Sequence, residues 1–192
     1  MRGLKGRRRR LALVIFVLVI VVVVATQSGW LKSGVRTAEV NQPGLYGIDH
    51  YIDGDTIAVN MNGTVEEIRF IGVDTPETHK PNTPVQCYGE IAATYTKTRV
   101  SKFGKVRLQA DPLDTNRDRY GRLLRYVYLP DGTLLDKELV QKGYGFAYLG
   151  FPFERSDEFA ADQQTAQSAH VGLWGACKPA VNQYDGYTSN PA

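Results

Sequence analysis

Two neighbouring segments of alternating hydrophobicity constrain the fold of this chain most strongly. Apolar residues alternate with small or polar ones over residues 57–61, and a second strand-like segment follows over residues 65–71. Asn62-Gly63 lies between them, and this dipeptide is a preferred two-residue turn of a β-hairpin. A period of two indicates strands with one buried face. The sequence therefore predicts an antiparallel hairpin.

Three further strands and three helices are predicted around this hairpin. The strands cover residues 45–52, 106–110 and 124–128, and the helices cover residues 90–103, 135–142 and 156–170. Ser156 is the predicted N-cap of the last helix, and Gly104, Gly143 and Gly172 follow the three helices, where glycine is favoured. The strand and helix order predicts an α+β fold that is mainly β: a five-stranded OB-fold Greek-key barrel with about three helices.

The first 26 residues are predicted to be a basic head followed by an N-terminal hydrophobic signal or anchor helix. Residues 1–10 hold six Lys or Arg, and the segment from Leu11 to Ala25 is apolar throughout. A helix of this length spans about 22 Å, against roughly 30 Å of bilayer hydrocarbon. A single-pass membrane anchor and a cleaved secretion signal both stay open. Either one places the remainder outside the cytoplasm, because basic flanks stay inside.

The rest of the 192-residue chain is expected to contain one domain. Residues 27–44 are interpreted as a polar linker, 45–177 as the OB-type domain and 178–192 as a flexible tail. The net charge of +3 comes from the head, because 17 basic side chains face 20 acidic ones beyond residue 10. Overall basicity therefore gives no argument for nucleic-acid binding, which would need a local cluster.

The two cysteines, Cys87 and Cys177, agree with export. An even pair outside the cytoplasm predicts a disulfide, and two buried thiols are the alternative. The sequence contains no CxxC motif and no histidine cluster that would indicate zinc.

Two acidic tracts supply candidate metal ligands. Asp53-Gly54-Asp55-Thr56 lies between apolar strand segments, and Val73-Asp74-Thr75-Pro76-Glu77 follows a strand that Pro76 ends. If the tracts meet, Asp55, Asp74 and the backbone carbonyl of Thr75 form a sparse oxygen donor set for Ca²⁺, with positions left for water and a phosphate oxygen. The alternatives are a bend with solvated acids and a structural calcium or N-cap cluster.

Arg69 and Arg122 are candidate phosphate-binding arginines. Arg69 alternates with the apolar residues of its strand, and Arg122 follows the Tyr120-Gly121 bend. Two guanidinium groups at one site would stabilise the charge that develops during phosphodiester cleavage through bidentate hydrogen bonds. The alternatives are an Arg69 that reaches the surface or pairs with a glutamate, and a solvated Arg122.

Glu77 is the candidate general base. It lies three residues after Asp74, and a carboxylate needs only hydrogen-bond reach of the attacking water. His50, His79 and His170 are rival bases, of which His79 is the nearest in sequence to the acidic tracts.

Taken in order, these motifs resemble the thermonuclease family, the staphylococcal-nuclease-like enzymes, in an exported form. The resemblance extends from about Tyr51 to Trp174. It rests on several separate segments: Ile52-Asp53-Gly54-Asp55-Thr56, Arg69, Val73-Asp74-Thr75-Pro76-Glu77-Thr78, Tyr88-Gly89-Glu90, Asp118-Arg119-Tyr120-Gly121-Arg122 and Gly172-Leu173-Trp174.

The resemblance implies a calcium-dependent endonuclease that hydrolyses phosphodiester bonds of DNA and RNA and leaves 3′-phosphate ends. It implies Ca²⁺ ligation at the acidic tracts, with Asp53 behind the ligands, and catalytic roles for Arg69, Glu77 and Arg122. The positions that it implies for substrate contact are Arg119, Tyr120 and Tyr148. Residues 143–152 are one residue shorter than the family pattern, with Gly150-Phe151 at the expected second aromatic, which affects base preference rather than catalysis.

The sequence implies a monomer with no protein partner, attached to the membrane only if the anchor is retained. The first rival function is a non-catalytic OB-fold module of the same family that binds nucleic acid or a peptide. The second is a cell-surface structural domain stiffened by calcium. Such non-catalytic modules lack the acids and arginines, whereas this sequence retains all of them.

Overall fold

A computed structural model describes residues 44–79, 83–183 and 186–192. The predicted signal or anchor segment and all of the linker before Gly44 lie outside the described residues. Within the described ranges, every helix is too short or too polar to cross a bilayer. The described strands are β1 (Tyr46–Tyr51), β2 (Thr56–Met61), β3 (Thr64–Phe70), β4 (Val73–Asp74), β5 (Lys105–Gln109), β6 (Leu123–Tyr128), β7 (Phe146–Ala147), β8 (Ala180–Val181) and β9 (Tyr187–Thr188).

The predicted hairpin is confirmed. β2 and β3 pair antiparallel from Met61 opposite Thr64 to Thr56 opposite Arg69. Asn62 and Gly63 both have positive φ, +56° and +93°, which is the backbone of a type I′ turn. Five strands then close into a barrel in the order β1-β2-β3-β6-β5, which confirms the predicted five-stranded barrel. The order follows from one parallel pairing, β3 with β6, among otherwise antiparallel neighbours.

Alternating residues of the barrel strands fill its interior. The fully buried members of this core include Ile57, Val59, Ile68, Val106 and Val127. Each fully buried Val or Ile side chain contributes roughly 1.5–3 kcal/mol of transfer free energy. The core stabilises the barrel and so fixes which loops meet at its ends.

The helices are α1 (Gly89–Ser101), α2 (Leu135–Gln141), α3 (Ser156–Ser168) and α4 (Leu173–Ala176). The three predicted helices are present; their last residues come one or two positions before the predicted ones, and α1 begins one residue earlier than predicted. Ser156 is the first helical residue rather than the N-cap, which is Arg155 without a side-chain cap bond. α4 was not predicted, because a single turn is too short to show helical periodicity.

The C-terminal residues form more structure than the flexible tail predicted from the sequence. β8 and β9 pair as a two-stranded sheet, and the ring of Tyr187 stacks on Phe146 at 5.8 Å. The Cys87–Cys177 disulfide predicted from export is present. The Tyr187 ring contact attaches this small sheet to β7, and a short polar segment gives no local signal of such a partner.

A buried carboxylate links the end of β3 to β6. Asp136, at the start of α2, accepts hydrogen bonds from the backbone N–H of Ile71 at 3.0 Å and of Val127 at 2.8 Å. Burial raises the pKa of Asp136 to about 8, although these backbone donors oppose the rise. The side chain holds the chain in place where it leaves β3 toward the acidic tract.

Candidate active site

The first acidic tract forms a tight loop before β2. The backbone N–H groups of Ile52 and Asp53 both donate to the carbonyl of Thr56, at 3.3 and 3.2 Å, and Asp55 N–H donates to Asp53 Oδ1 at 3.0 Å. A Cβ at Gly54 would lie 2.6 Å from the hydroxyl of Thr75. Gly54 is therefore needed for the loop to touch the second acidic tract.

Asp55 joins the two acidic tracts, which lie 20 residues apart in sequence. Its Oδ2 accepts hydrogen bonds from the backbone N–H of Thr75 at 2.7 Å and from the Thr75 hydroxyl at 3.0 Å. Both residues are buried. From the α1 side, the hydroxyl of Thr96 donates to the carbonyl of Gly54 at 2.6 Å. The structure thus brings the two tracts together, as the sequence interpretation requires.

Asp74 is held by a short pairing of strands. β4 pairs with β7 through Asp74 opposite Phe146, and Pro76 follows outside the strand. A Cβ at Gly145 would lie 3.1 Å from the carbonyl of Asp74, so β7 packs closely on this backbone. The Asp74 side chain stays 43% exposed, which leaves its carboxylate accessible to a ligand.

Arg69 lies between the two carboxylates. Its Nε is 3.3 Å from Asp55 and its Nη2 is 2.9 Å from Asp74, whereas its Nη1 donates to the carbonyls of Phe70 and Val73. Burial by itself lowers the pKa of Arg69, but the charges of Asp55 and its acidic neighbours outweigh it and raise that pKa. The side chain is only 12% exposed, so Arg69 does not reach the surface and pairs with aspartates rather than a glutamate.

The pKa of Asp53 reflects burial and the charges of Asp55 and Arg69. Burial, followed by the charge of Asp55, raises the pKa of Asp53 to about 7, and Arg69 only partly opposes this rise. Three carboxylates, those of Asp53, Asp55 and Asp74, act on the one guanidinium of Arg69. Oxygen donors with surplus negative charge suit a hard divalent cation.

The candidate metal ligands form a small set. Within the described ranges, no group of three or more His, Cys, Asp or Glu side chains is arranged to hold a metal ion. A cation here would take carboxylate oxygens from Asp55 and Asp74 and the carbonyl of Thr75, and would need water and phosphate for its other positions. The donor chemistry fits Ca²⁺, and the small number of protein ligands fits a site that also binds substrate.

Glu77 is held through its backbone. Its N–H donates to Gln86 Oε1 at 2.9 Å, and its carbonyl accepts from the N–H of Gln86 at 2.9 Å. The rival base His79 is exposed, and its Nδ1 contacts the Thr78 hydroxyl at 2.7 Å. Gln86 is a feature that sequence reasoning missed, because nothing in its local pattern marks a partner of Glu77.

The second arginine lies in a separate loop beside β3. Arg122 directs Nε and Nη2 to Asp118 Oδ2, at 2.8 and 2.7 Å, so in this structure its guanidinium binds Asp118 rather than the Asp55–Asp74 cluster. Parallel pairing of β3 and β6 sets Leu123 opposite Ile68, which places Arg122 next to the strand that carries Arg69. The two arginines that were predicted to converge therefore lie on neighbouring chain segments, but the guanidinium of Arg122 is paired with Asp118.

The candidate substrate-contacting residues lie on the surface. Tyr120 is 68% exposed, with the guanidinium carbons of Arg119 and Arg122 at 4.8 and 5.5 Å from its ring centre. Tyr148 is 41% exposed, and its ring centre is 5.8 Å from that of Phe151, which is also exposed. An exposed aromatic ring beside arginines, as at Tyr120, is suited to stacking on an unpaired base, whereas Tyr148 has Phe151 as its ring neighbour.

Fold and site together define a class: an OB-type barrel that presents an arginine between an aspartate of a loop and an aspartate of a short strand. Residues 67–176 match the family model described as staphylococcal nuclease homologue. The chain therefore belongs to the family of staphylococcal nuclease homologues, which confirms the resemblance inferred from the motifs.

The chain is similar to several curated nucleases. It is 43% identical over 129 residues to the SPbeta prophage-derived endonuclease YokF of Bacillus subtilis, which covers 66% of this chain and 43% of that protein. It is 44% identical to endonuclease YncB of the same organism, over 66% of this chain and 60% of that protein. It is 39% identical over 150 residues to the thermonuclease of Staphylococcus hyicus, over 78% of this chain and 85% of that protein. The match thus spans less than two thirds of both Bacillus relatives.

Proposed function

We propose that this protein is a nuclease that hydrolyses phosphodiester bonds of DNA and RNA. The observation that carries the proposal is Arg69 placed between Asp55 and Asp74, in a chain of the nuclease family with relatives named endonuclease and thermonuclease. An arginine that only stabilised the fold would not need a carboxylate that is 43% exposed beside it. The exposed Asp74 carboxylate lies beside a mostly buried Arg69 guanidinium, so the proposal has the phosphate reach Arg69 from the Asp74 side.

The proposal assigns Ca²⁺ as the cofactor, bound by Asp55, Asp74 and the carbonyl of Thr75, with Asp53 behind them. When bound, the ion would supply Lewis-acid stabilisation of the charged phosphate. The Thr75 N–H and hydroxyl both donate to Asp55 Oδ2, so these two proposed ligand residues are held next to each other.

Arg69 and Arg122 are assigned to the phosphate. Guanidinium groups bind phosphate oxygens with two parallel hydrogen bonds and stabilise charge that develops in the transition state. Arg69 already has its orientation fixed by the carbonyls of Phe70 and Val73. Arg122 must exchange part of its bonding to Asp118 for the substrate, so Asp118 positions it in the free enzyme.

Glu77 is assigned as the general base. It accepts a proton from a water molecule as the water oxygen forms a bond to phosphorus, and the bond from phosphorus to the 5′ oxygen breaks. The 5′ oxygen leaves with a proton from solvent or a neighbouring donor, and the phosphate stays on the 3′ end. Arg119, Tyr120 and Tyr148 are assigned to the nucleotides on either side of the scissile bond.

The domain is proposed to act outside the cytoplasm, either anchored or secreted. The Cys87–Cys177 disulfide supports this proposal, because such bonds persist in oxidising compartments and are rare in the cytosol.

A calcium titration of nuclease activity on denatured DNA and on RNA tests the proposal. Hydrolysis should depend on Ca²⁺, stop with a chelator and leave 3′-phosphate ends that a 3′-phosphatase can remove. Arg122→Ala should lower the rate at least tenfold. Binding of nucleic acid without hydrolysis at any Ca²⁺ concentration would replace the proposal by the non-catalytic module, and full activity of Arg122→Ala would remove that residue from the site.

A further inference from the structure

Gln86 bonds both backbone polar groups of Glu77. Its side-chain oxygen accepts from the Glu77 N–H at 2.9 Å, and its own N–H donates to the Glu77 carbonyl at 2.9 Å. Together the two bonds close a ring around one peptide segment and define its orientation. The residue between Pro76 and Thr78 therefore cannot rotate its backbone without breaking a bond to Gln86.

The first residue of α1 packs against the same backbone. A Cβ at Gly89 would lie 2.9 Å from the carbonyl of Glu77 and 3.0 Å from that of Pro76. The Gly89 N–H donates to the carbonyl of Gln86 at 3.0 Å. The segment that carries Glu77 thus contacts both Gln86 and the start of α1.

The C-terminal segment, residues 187–192, in turn fixes Gln86. The Gln86 side-chain nitrogen donates to the Thr188 hydroxyl at 3.1 Å, and Gln86 forms a β-bridge with Pro191. Beside it, the Cys87 N–H donates to the carbonyl of Asn190 at 2.7 Å. The Ser189 hydroxyl donates to the carbonyl of Cys87 at 3.0 Å.

Covalent attachment reinforces these bonds. Cys87, the neighbour of Gln86, is joined to Cys177, the residue before Lys178. Lys178 N–H donates to the side-chain oxygen of Asn190 at 2.7 Å. Along the chain, these bonds connect Lys178 and residues 188–191 through Gln86 to Glu77.

We propose that Gln86 is a positioning residue for Glu77, and that the C-terminal segment 187–192 holds Gln86 in the orientation this requires. The proposal rests on the proposed function of Glu77 as general base. A general base acts only within hydrogen-bond reach of its water, and a misplacement of about 1 Å lowers a rate by roughly 100-fold. Both groups of the Gln86 side chain are used: the oxygen holds Glu77, and the nitrogen is held by Thr188.

Steady-state kinetics of Gln86→Met in the full-length protein with Ca²⁺ and denatured DNA test the proposal. Methionine has a similar length but cannot accept the Glu77 N–H bond. We expect kcat to fall by roughly 10- to 100-fold, in line with that positional sensitivity, with KM changed less than about threefold. Thr188→Val removes only the partner of the Gln86 nitrogen, and we expect a smaller fall in kcat, about two- to fivefold, with the same constant KM.

A double-mutant cycle separates positioning from other effects. Adding Gln86→Met to Glu77→Gln should change kcat by less than about twofold, because the group to be positioned is already inactive. Asn60→Ala is the matched control, since Asn60 Oδ1 also accepts a loop backbone N–H, that of Gly63, at the far end of β2. It should lower the unfolding midpoint without lowering kcat.

Each outcome separates the two proposals. If the wild-type protein does not hydrolyse DNA, the nuclease assignment fails and the positioning role fails with it. If the wild type is active and Glu77→Gln lowers kcat, but Gln86→Met retains kcat within twofold, only the positioning role is refuted. An equal loss in the Glu77→Gln background would also overturn it. Should Gln86→Met fail to fold, an unchanged kcat in Thr188→Val rejects the role of the C-terminal segment and a lowered one supports it.

Discussion

Arg69→Lys tests whether the shape of the guanidinium, rather than its charge, is what the site uses. Arg69 makes four contacts from one planar group: Asp55, Asp74 and the carbonyls of Phe70 and Val73. A lysine ammonium has three donors at a single point and cannot reach both carboxylates and both carbonyls. The substitution therefore keeps the countercharge of the acidic cluster and removes the geometry.

The two effects of Arg69→Lys have different sizes. Loss of at least two of the four hydrogen bonds, at about 1 kcal/mol each, predicts a fall of about 2 kcal/mol in the free energy of unfolding. Loss of a preorganised transition-state donor lowers kcat by about 10²- to 10³-fold, or roughly 3–4 kcal/mol of activation free energy. Activity should thus fall much more than the fraction of folded protein.

Initial rates on denatured DNA at saturating Ca²⁺, with urea unfolding of the same samples, measure both effects. Arg99→Lys is the matched control, because Arg99 also bonds a carboxylate, that of Glu138 at 2.9 Å, on the α1–α2 surface. It should retain the wild-type rate. An Arg69→Lys rate within threefold of wild type would refute the reasoning, since a point charge would then suffice.

Three further predictions concern stability. Replacing both cysteines by serine removes a cross-link between residues 90 apart in sequence. The chain-entropy relation then gives a loss of about 4–5 kcal/mol in the free energy of unfolding measured with urea, and a loss below about 1 kcal/mol would contradict it. The pKa of Asp136 is raised to about 8 from 3.8, so the protonated form of this side chain favours the fold. Its contribution to the free energy of unfolding is fully present below about pH 4 and is lost as pH rises through 8, at up to about 1.4 kcal/mol per pH unit. Unfolding of Asp136→Asn from pH 5 to 9 should lack this slope, and parallel slopes would disprove the assignment. Gly54→Ala should lower the free energy of unfolding by about 1–3 kcal/mol, because the added Cβ meets Thr75. Gly47→Ala, with open space around it, should lower it far less, and equal losses would reject the close contact.

The site was predictable in its parts and less so in its assembly. The sequence identified Asp55, Asp74 and Arg69, and the structure brings these three into contact. It also suggested that Arg122 joins them, but the structure pairs that guanidinium with Asp118, four residues earlier. Spacing along the chain shows which groups are available, whereas side-chain pairing depends on which charge lies nearest after folding.

The C-terminal segment shows the same limit more clearly. Its polar composition resembles that of a flexible tail, yet Ser189 is buried and Asn190 bonds Cys87, about a hundred residues away. Short segments without hydrophobic periodicity carry no local signal of the partner they will bind. Gln86 was overlooked for this reason, although it contacts both Glu77 and Thr188.

By itself, the sequence determined the strand pattern, the hairpin at Asn62-Gly63 and the chemical groups of the acidic and basic tracts. These features depend on periodicity and turn chemistry within a few residues, which local conformational preferences decide. Only the tertiary structure decided that Asp55 would bond Thr75 and that Gln86 would hold Glu77. Those contacts depend on the register of paired strands and on closure of the barrel, which bring together residues that are distant in sequence.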